Sequence, residues 1–178
     1  MFFTPPPPPS KSIQIDWNNP EETKKRVSFK KTDYAEIYKA PVMEVKISET
    51  TKQLISLSKI KYTNMVSSIK EIQNLKYKFQ ISAVSYYDDY NGWSFYDSAY
   101  TDEGMKLNFT STSRNVFKCD SYGCILMEAF TIDVPISYVE SHLGKNIGFQ
   151  VSGEEGGTYL FLPAGYVEGL LSTIPKNN

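Results

Sequence analysis

The sequence predicts a mainly β fold, an antiparallel β-sandwich with two or three short helices. Three observations carry this. Apolar and polar residues alternate with period two along many short runs between Val27 and Leu162, the pattern of strands that bury one face. Turn-forming residues punctuate the runs, as at Asn91-Gly92, residues 120–123 and residues 152–157. The chain holds 13 Tyr and 10 Phe in 178 residues, and such rings suit a pleated, half-buried surface. A small barrel, or an α+β sheet with one covering helix, is the alternative. This length predicts one domain with a sizeable core. The division expected is a Pro-rich extended tail over residues 1–22 and a single β-rich globular domain over 23–178.

The tail contains five consecutive prolines at residues 5–9. They cannot donate backbone hydrogen bonds, so the run adopts an extended polyproline II form and reads as a semi-rigid spacer. A ligand for an aromatic groove is the sharper reading. Ile13, Ile15 and Trp17 alternate as a short first strand at the end of the tail.

In the body, Val27, Phe29 and Lys31 alternate with Ser28 and Lys30, and Met43, Val45 and Ile47 alternate with Glu44 and Lys46. Pro41 places the second run at a sheet edge or a strand start. Ile55, Leu57 and Lys59 continue the period, after a polar turn at 48–52. Met65, Ile69, Ile72 and Leu75 follow a helical period instead. Residues 79–89 read as a strand. The Asn91-Gly92 that follows is a hairpin signal pairing Tyr90 with Trp93, Asp88 with Phe95 and Tyr86 with Asp97. Gly104 opens the run Met105, Leu107, Phe109, and a second hairpin spans about 114–134 until Pro135 stops it. Ser137 and Glu140 match a capping box for a short helix to about Leu143, with Gly144 as its stop. Ile147, Phe149 and Val151 form a strand that returns antiparallel over 159–162, and Tyr166, Val167, Leu170 and Leu171 form a terminal turn or short helix.

The only two cysteines, Cys119 and Cys124, flank the turn of the second hairpin. Strands on both sides bring them opposite each other, which predicts a disulfide and hence an oxidising compartment. Free thiols are the alternative. Redox motifs want Cys-x-x-Cys at a helix start, and a structural zinc site needs four ligands, where this chain offers two Cys and one His, His142. Opposing Cys119 to Cys124 pairs Phe117 with Leu126, Asn115 with Glu128 and Ser113 with Phe130. Glu128 then sits on the apolar face of Phe117, Leu126, Phe130 and Ile132, where an unpartnered carboxylate is costly. Arg114 falls on the opposite face in this register. A bulge between the two would bring it round to form an ion pair with Glu128.

The net charge of -1 argues against a nucleic-acid binder. All but Arg26 and Arg114 of the 19 basic residues are Lys, where a carboxylate or phosphate site prefers Arg. No run approaches the ~20 apolar residues of a membrane helix. The first four residues are too short for a signal peptide. A disulfide without a signal is resolved if an export signal has been removed and replaced by Met1; otherwise Met1 is native and the thiols are free.

No nucleophile elbow, phosphate loop or dinucleotide fingerprint occurs. A lone histidine excludes multi-histidine metal centres, and His142, at the end of a short polar helix, reads as a surface residue. No catalytic residue, metal site or cofactor is assigned. Tyr86, Tyr87, Tyr90, Trp93, Phe95, Tyr96 and Tyr100 form the densest aromatic stretch, interspersed with Asp88, Asp89, Asn91, Asp97 and Asp102. Rings beside carboxylates and amides suit a glycan, and Tyr87, Trp93, Tyr96 and Tyr100 are the candidate ligand-binding aromatics. The resulting expectation is an exported, non-catalytic domain of a bacterial cell envelope, in the periplasm or at the cell surface, lipid-anchored through a tether absent from this chain. Its role is structural or protein-binding, with an envelope protein as partner; a glycan- or small-ligand-binding module is the alternative.

Overall fold

The computed structural model describes residues 15–48, 51–62 and 77–175. Among the described residues, the period-two runs and one further segment form ten strands with antiparallel pairing throughout. In chain order these are α1 (Pro20–Lys24), β1 (Ser28–Lys31), β2 (Ala35–Lys39), β3 (Met43–Lys46), β4 (Lys52–Tyr62), β5 (Tyr77–Asp88), β6 (Tyr96–Thr101), β7 (Lys106–Asp120), β8 (Gly123–Val134), α2 (Ile136–Ser141), β9 (Ile147–Gly153), β10 (Gly157–Leu162) and α3 (Ala164–Ser172). The strand order is β1-β2-β4-β5-β8-β7-β6-β9-β10, and β3 shares an edge of β4 with β2.

The sheet folds over on itself into two layers. Strand β7 belongs to both: Lys106 and Leu107 pair with β6, and the rest of the strand pairs with β8. Strands far apart in the order therefore meet face to face. Gln53 of β4 donates to Thr158 of β10, 2.5 Å away, and the Tyr96 ring of β6 meets Phe130 of β8 edge-on at 5.6 Å. Ile55, Leu57, Phe79, Ile81, Phe130 and Ile132 of one layer and Ala99, Phe149, Val151, Leu160 and Leu162 of the other form a single buried cluster. Each is the inward member of an alternating run, which is why period two was legible as strand.

Helix α3 seals this core. Tyr166 is fully buried; its hydroxyl donates to the Pro41 carbonyl at 2.7 Å and accepts from the Leu57 amide at 3.2 Å. Burial pushes the Tyr166 phenol well above its ordinary pKa. On its other side α3 receives the start of the described chain. A Cβ at Gly165 would lie 2.1 Å from the Asn18 carbonyl oxygen, and one at Gly169 2.4 Å from that of Pro20. Only glycine permits this approach. Trp17 meets Tyr166 edge-on at 5.6 Å. Residues 15–22, read above as the end of a tail, are thus docked on the body. No strand forms at Ile15 and Trp17: the chain turns and enters α1, where Asn19 caps the Glu21 amide. Ile13 and the helical run 65–75 lie outside the described residues.

Three further expectations are corrected. Strand β2 forms where no strand was read. Its Ala-Glu-Ile-Tyr-Lys breaks the alternation, since Ile37 and Tyr38 adjoin, and Thr32 sets its turn by accepting from the Ala35 amide at 3.0 Å. The Ser137 capping box does not form: Pro135 occupies the N-cap, so Ser137 falls inside α2. The two-residue Asn91-Gly92 turn is replaced by one a residue earlier, centred on Tyr90 and Asn91, with Gly92 at φ 74° and its amide bonded to the Asp89 carbonyl. It does not join a hairpin, because both edges of β5 are taken by β4 and β8.

Candidate functional site

The β7–β8 hairpin begins at the disulfide between Cys119 and Cys124, which face each other as expected. Two residues toward the base, the register departs from simple pairing. A bulge at Phe117 lets Val116 oppose Leu126 and puts Arg114 directly across from Glu128. Phe117 is thereby turned to the other face, where its ring packs edge-on against Tyr86 at 5.0 Å. A second bulge, at Thr112, leaves Ser111 opposite Phe130. The conditional reading of Arg114 was the correct one; the unbulged pairs Phe117–Leu126, Asn115–Glu128 and Ser113–Phe130 are not formed.

Glu128 is 1% exposed and fully partnered. Its Oε1 accepts from the Tyr87 hydroxyl and from the Phe95 amide at 2.9 Å. Its Oε2 accepts from the Tyr96 amide at 3.1 Å and from Arg114 Nε at 2.9 Å. Arg114 also donates to the Tyr96 carbonyl at 3.2 Å, and its guanidinium lies over the Phe95 ring. The Tyr87 oxygen accepts in turn from the Ser94 amide at 3.0 Å. Burial, then the neighbouring carboxylate, pushes the Tyr87 phenol up to about 12. Phe95 takes φ 53°, a left-handed conformation rare for a non-glycine residue. This node explains the missing β5–β6 hairpin. Amides 94–96, which a ladder to β5 would have used, are held by side chains of β5 and β8. A carboxylate with four fixed donors is a structural clamp, since neither oxygen is left for chemistry.

The candidate aromatics do not share a face. Tyr96 is 4% exposed, its ring between Tyr87 and Phe130, so it is a core residue and not a surface platform. Tyr87 and Trp93 are half-buried. Tyr87 and Tyr96 do meet, under a cleft of ≈ 430 Å³ at the loop end of the sandwich, with Gln53, Ser85, Ser94 and Thr158. Tyr100 is separate, on the outer face of the second layer. There it lines an open groove of ≈ 660 Å³ with Asp102, Gln150 and Tyr159. Sequence reading missed Gln150 and Tyr159. Their outward positions follow from the alternation of β9 and β10, but their meeting with Tyr100 depends on strand order, which no local pattern encodes.

His142 is half-buried rather than on the surface. It ends α2, with Nδ1 2.8 Å from the Tyr138 carbonyl and Nε2 3.1 Å from Glu103. Among the described residues, no group of three or more His, Cys, Asp or Glu side chains could hold a metal ion, and no helix is long and apolar enough to cross a membrane. In comparisons with known proteins, the chain matches no family model, no curated protein and no solved structure.

Proposed function

We propose that this chain is the folded domain of an exported, membrane-tethered bacterial envelope protein whose role is non-catalytic protein binding. One observation carries the reading: the disulfide-clasped hairpin presents an apolar tip. Tyr122 is 98% exposed at the turn, and further down β7 Val116 and Phe117, on opposite faces, are 53% and 58% exposed. Among the described residues, β7 beyond Leu107 pairs with β8 alone, which leaves its other edge for an added strand. The tip is held stiff by the disulfide and, at its base, by the Glu128 clamp. Stiffness lowers the entropy cost of docking.

Other features support the compartment and the absence of catalysis. A disulfide persists outside the reducing cytosol, and a proline run suits a spacer between a membrane and a folded domain. The most deeply buried acid and the lone histidine are both committed to fixed structural partners.

The test is site-specific photo-crosslinking in the native host, with the reactive residue at Tyr122 and, as a control, at Tyr34 (72% exposed) on the far side of the strand order. The expected result is a discrete adduct with an envelope protein from position 122 alone. No adduct from 122, or equal adducts from both positions, overturns the reading. Alkylation of both cysteines in unreduced cells would separately remove the compartment argument.

A further inference from the structure

Strand pairing sets Tyr100, Gln150 and Tyr159 in one row, directly opposed across β6, β9 and β10. All three face away from the core, because their neighbours Ala99, Phe149, Val151 and Leu160 are buried within it. Tyr159 is 49% exposed. It lies across the sheet rather than standing off it. Its hydroxyl sits over Gly148, where an added Cβ would be 1.7 Å away, and donates to Asp102 at 2.9 Å and 2.8 Å from the two carboxylate oxygens. Asp102, in the turn just after β6, is brought to this face by its bonds to Tyr159 and lines the same groove. Glycine at 148 is what allows the ring to lie flat.

We propose that this outer face binds a neutral saccharide of two or more units. A sugar ring has an apolar C–H face and a rim of hydroxyls. The flat Tyr159 ring and Tyr100 meet the first need. Asp102 and Gln150 meet the second: a carboxylate has about four lone-pair positions and Tyr159 occupies only part of them, while a carboxamide both donates and accepts. Two strand spacings separate the backbones of Tyr100 and Tyr159, roughly 10 Å, a span longer than one sugar ring, so occupying both needs two or more linked units. Asp102 is the ionisable acid or base lining the groove apart from the tyrosines, and Lys106, directly opposite Tyr100 on β7, lies at the end of the row, so the face carries one charge of each sign and no net charge to select an ionic sugar. The site is distinct from the hairpin tip, so its fate is independent of the protein-binding reading.

The experiment uses an array of neutral and acidic oligosaccharides to choose a probe, followed by amide-resolved NMR titration with the best neutral disaccharide. Saturable shifts at Tyr100, Asp102, Gln150 and Tyr159 are expected. Tyr159→Ala should weaken binding by about tenfold or more, an easily resolved change in Kd, and Tyr159→Phe by less, since the ring remains. Tyr122→Ala should leave it unchanged, and an unaltered amide spectrum elsewhere certifies the fold of each variant. Retention of acidic glycans alone, absence of any neutral binder, or shifts confined to the Tyr87–Tyr96 cleft overturns the proposal.

Discussion

Replacing Glu128 should destabilise this protein more than replacing its cationic partner Arg114. The asymmetry follows from what each leaves behind. Glu128→Leu orphans the amides of Phe95 and Tyr96, the phenol of Tyr87 and the Arg114 guanidinium. A buried donor left unmet costs about 1–3 kcal/mol. Tyr96 is buried and Tyr87 half-buried, whereas Phe95 is more open and Arg114 can turn to water, its side chain being 35% exposed. The sum is about 3–5 kcal/mol. Arg114→Met leaves a carboxylate that still holds three donors, so the cost falls below the usual range for breaking a buried pair, to about 2–3 kcal/mol. The double variant should cost little more than Glu128→Leu alone, because Arg114 has lost its partner already. That non-additivity, about 2 kcal/mol, distinguishes a clamp from two independent contacts. Urea unfolding followed by fluorescence of Trp17 and Trp93 reads all four states; with a slope of about 2 kcal/mol per molar, the midpoint for Glu128→Leu should fall by about 2 M. A Glu128→Leu protein within 1 kcal/mol of wild type, or one more stable than Arg114→Met, would refute the reasoning.

Gly165→Ala and Gly169→Ala would raise helix propensity by about 1 kcal/mol in an isolated helix, yet here the new methyls collide with the Asn18 and Pro20 carbonyls. Both should be destabilising, with a red-shifted Trp17 emission and new proteolytic cleavage between 15 and 25; stabilisation would contradict the docking. Cys119→Ser with Cys124→Ser should cost no more than about 2 kcal/mol, the chain-entropy value for so short a loop, and should speed amide exchange at the tip before it lowers global stability. Global unfolding of that variant at room temperature would be the contrary result. Alkaline pH should weaken the fold. The Tyr87 phenol is pushed up to about 12 and Tyr166 also upward, from an unfolded value of about 10. The folded state therefore keeps protons that the unfolded chain sheds. This contribution is complete below pH ~10 and declines as pH rises toward 12. Unfolding midpoints that stay level from pH 9 to 11.5 would sink it.

The strands were readable because burial of one face imposes period two on any run long enough to show it, as along Ile55–Leu57 and Ile147–Phe149–Val151. The cysteine hairpin was readable because turn and pairing are both local. What escaped depended on distant partners. The chain turned near Asn91-Gly92, but whether its flanks pair depends on β4 and β8, which hold both edges of β5, and on Glu128, more than 30 residues away, which holds the Phe95 and Tyr96 amides. Arg114 was placed on the wrong face in simple register because one extra residue, Phe117, reverses the side chains from Val116 back to Ser113, until the bulge at Thr112 restores them. The Tyr100–Gln150–Tyr159 row was hidden for a third reason: it joins β6 to β9 and β10 across the intervening hairpin and α2. The helix at 136–141 was found, but its start was assigned to Ser137 because Ser137 and Glu140 match a capping box, whereas Pro135 takes the N-cap without a side-chain bond.

The core is sealed by the last helix of the described chain. Leu57 and Pro41 receive their partner Tyr166 from 109 and 125 residues downstream, and Gln53 meets Thr158 from a separation of 105. Local pairing alone cannot close the space between the layers, so completion waits on contacts of long sequence separation. During synthesis the early strands have nothing to cover their apolar face until α3 has emerged. Such a chain stays unfinished, with apolar surface open to chaperones, until residue 172 has been made.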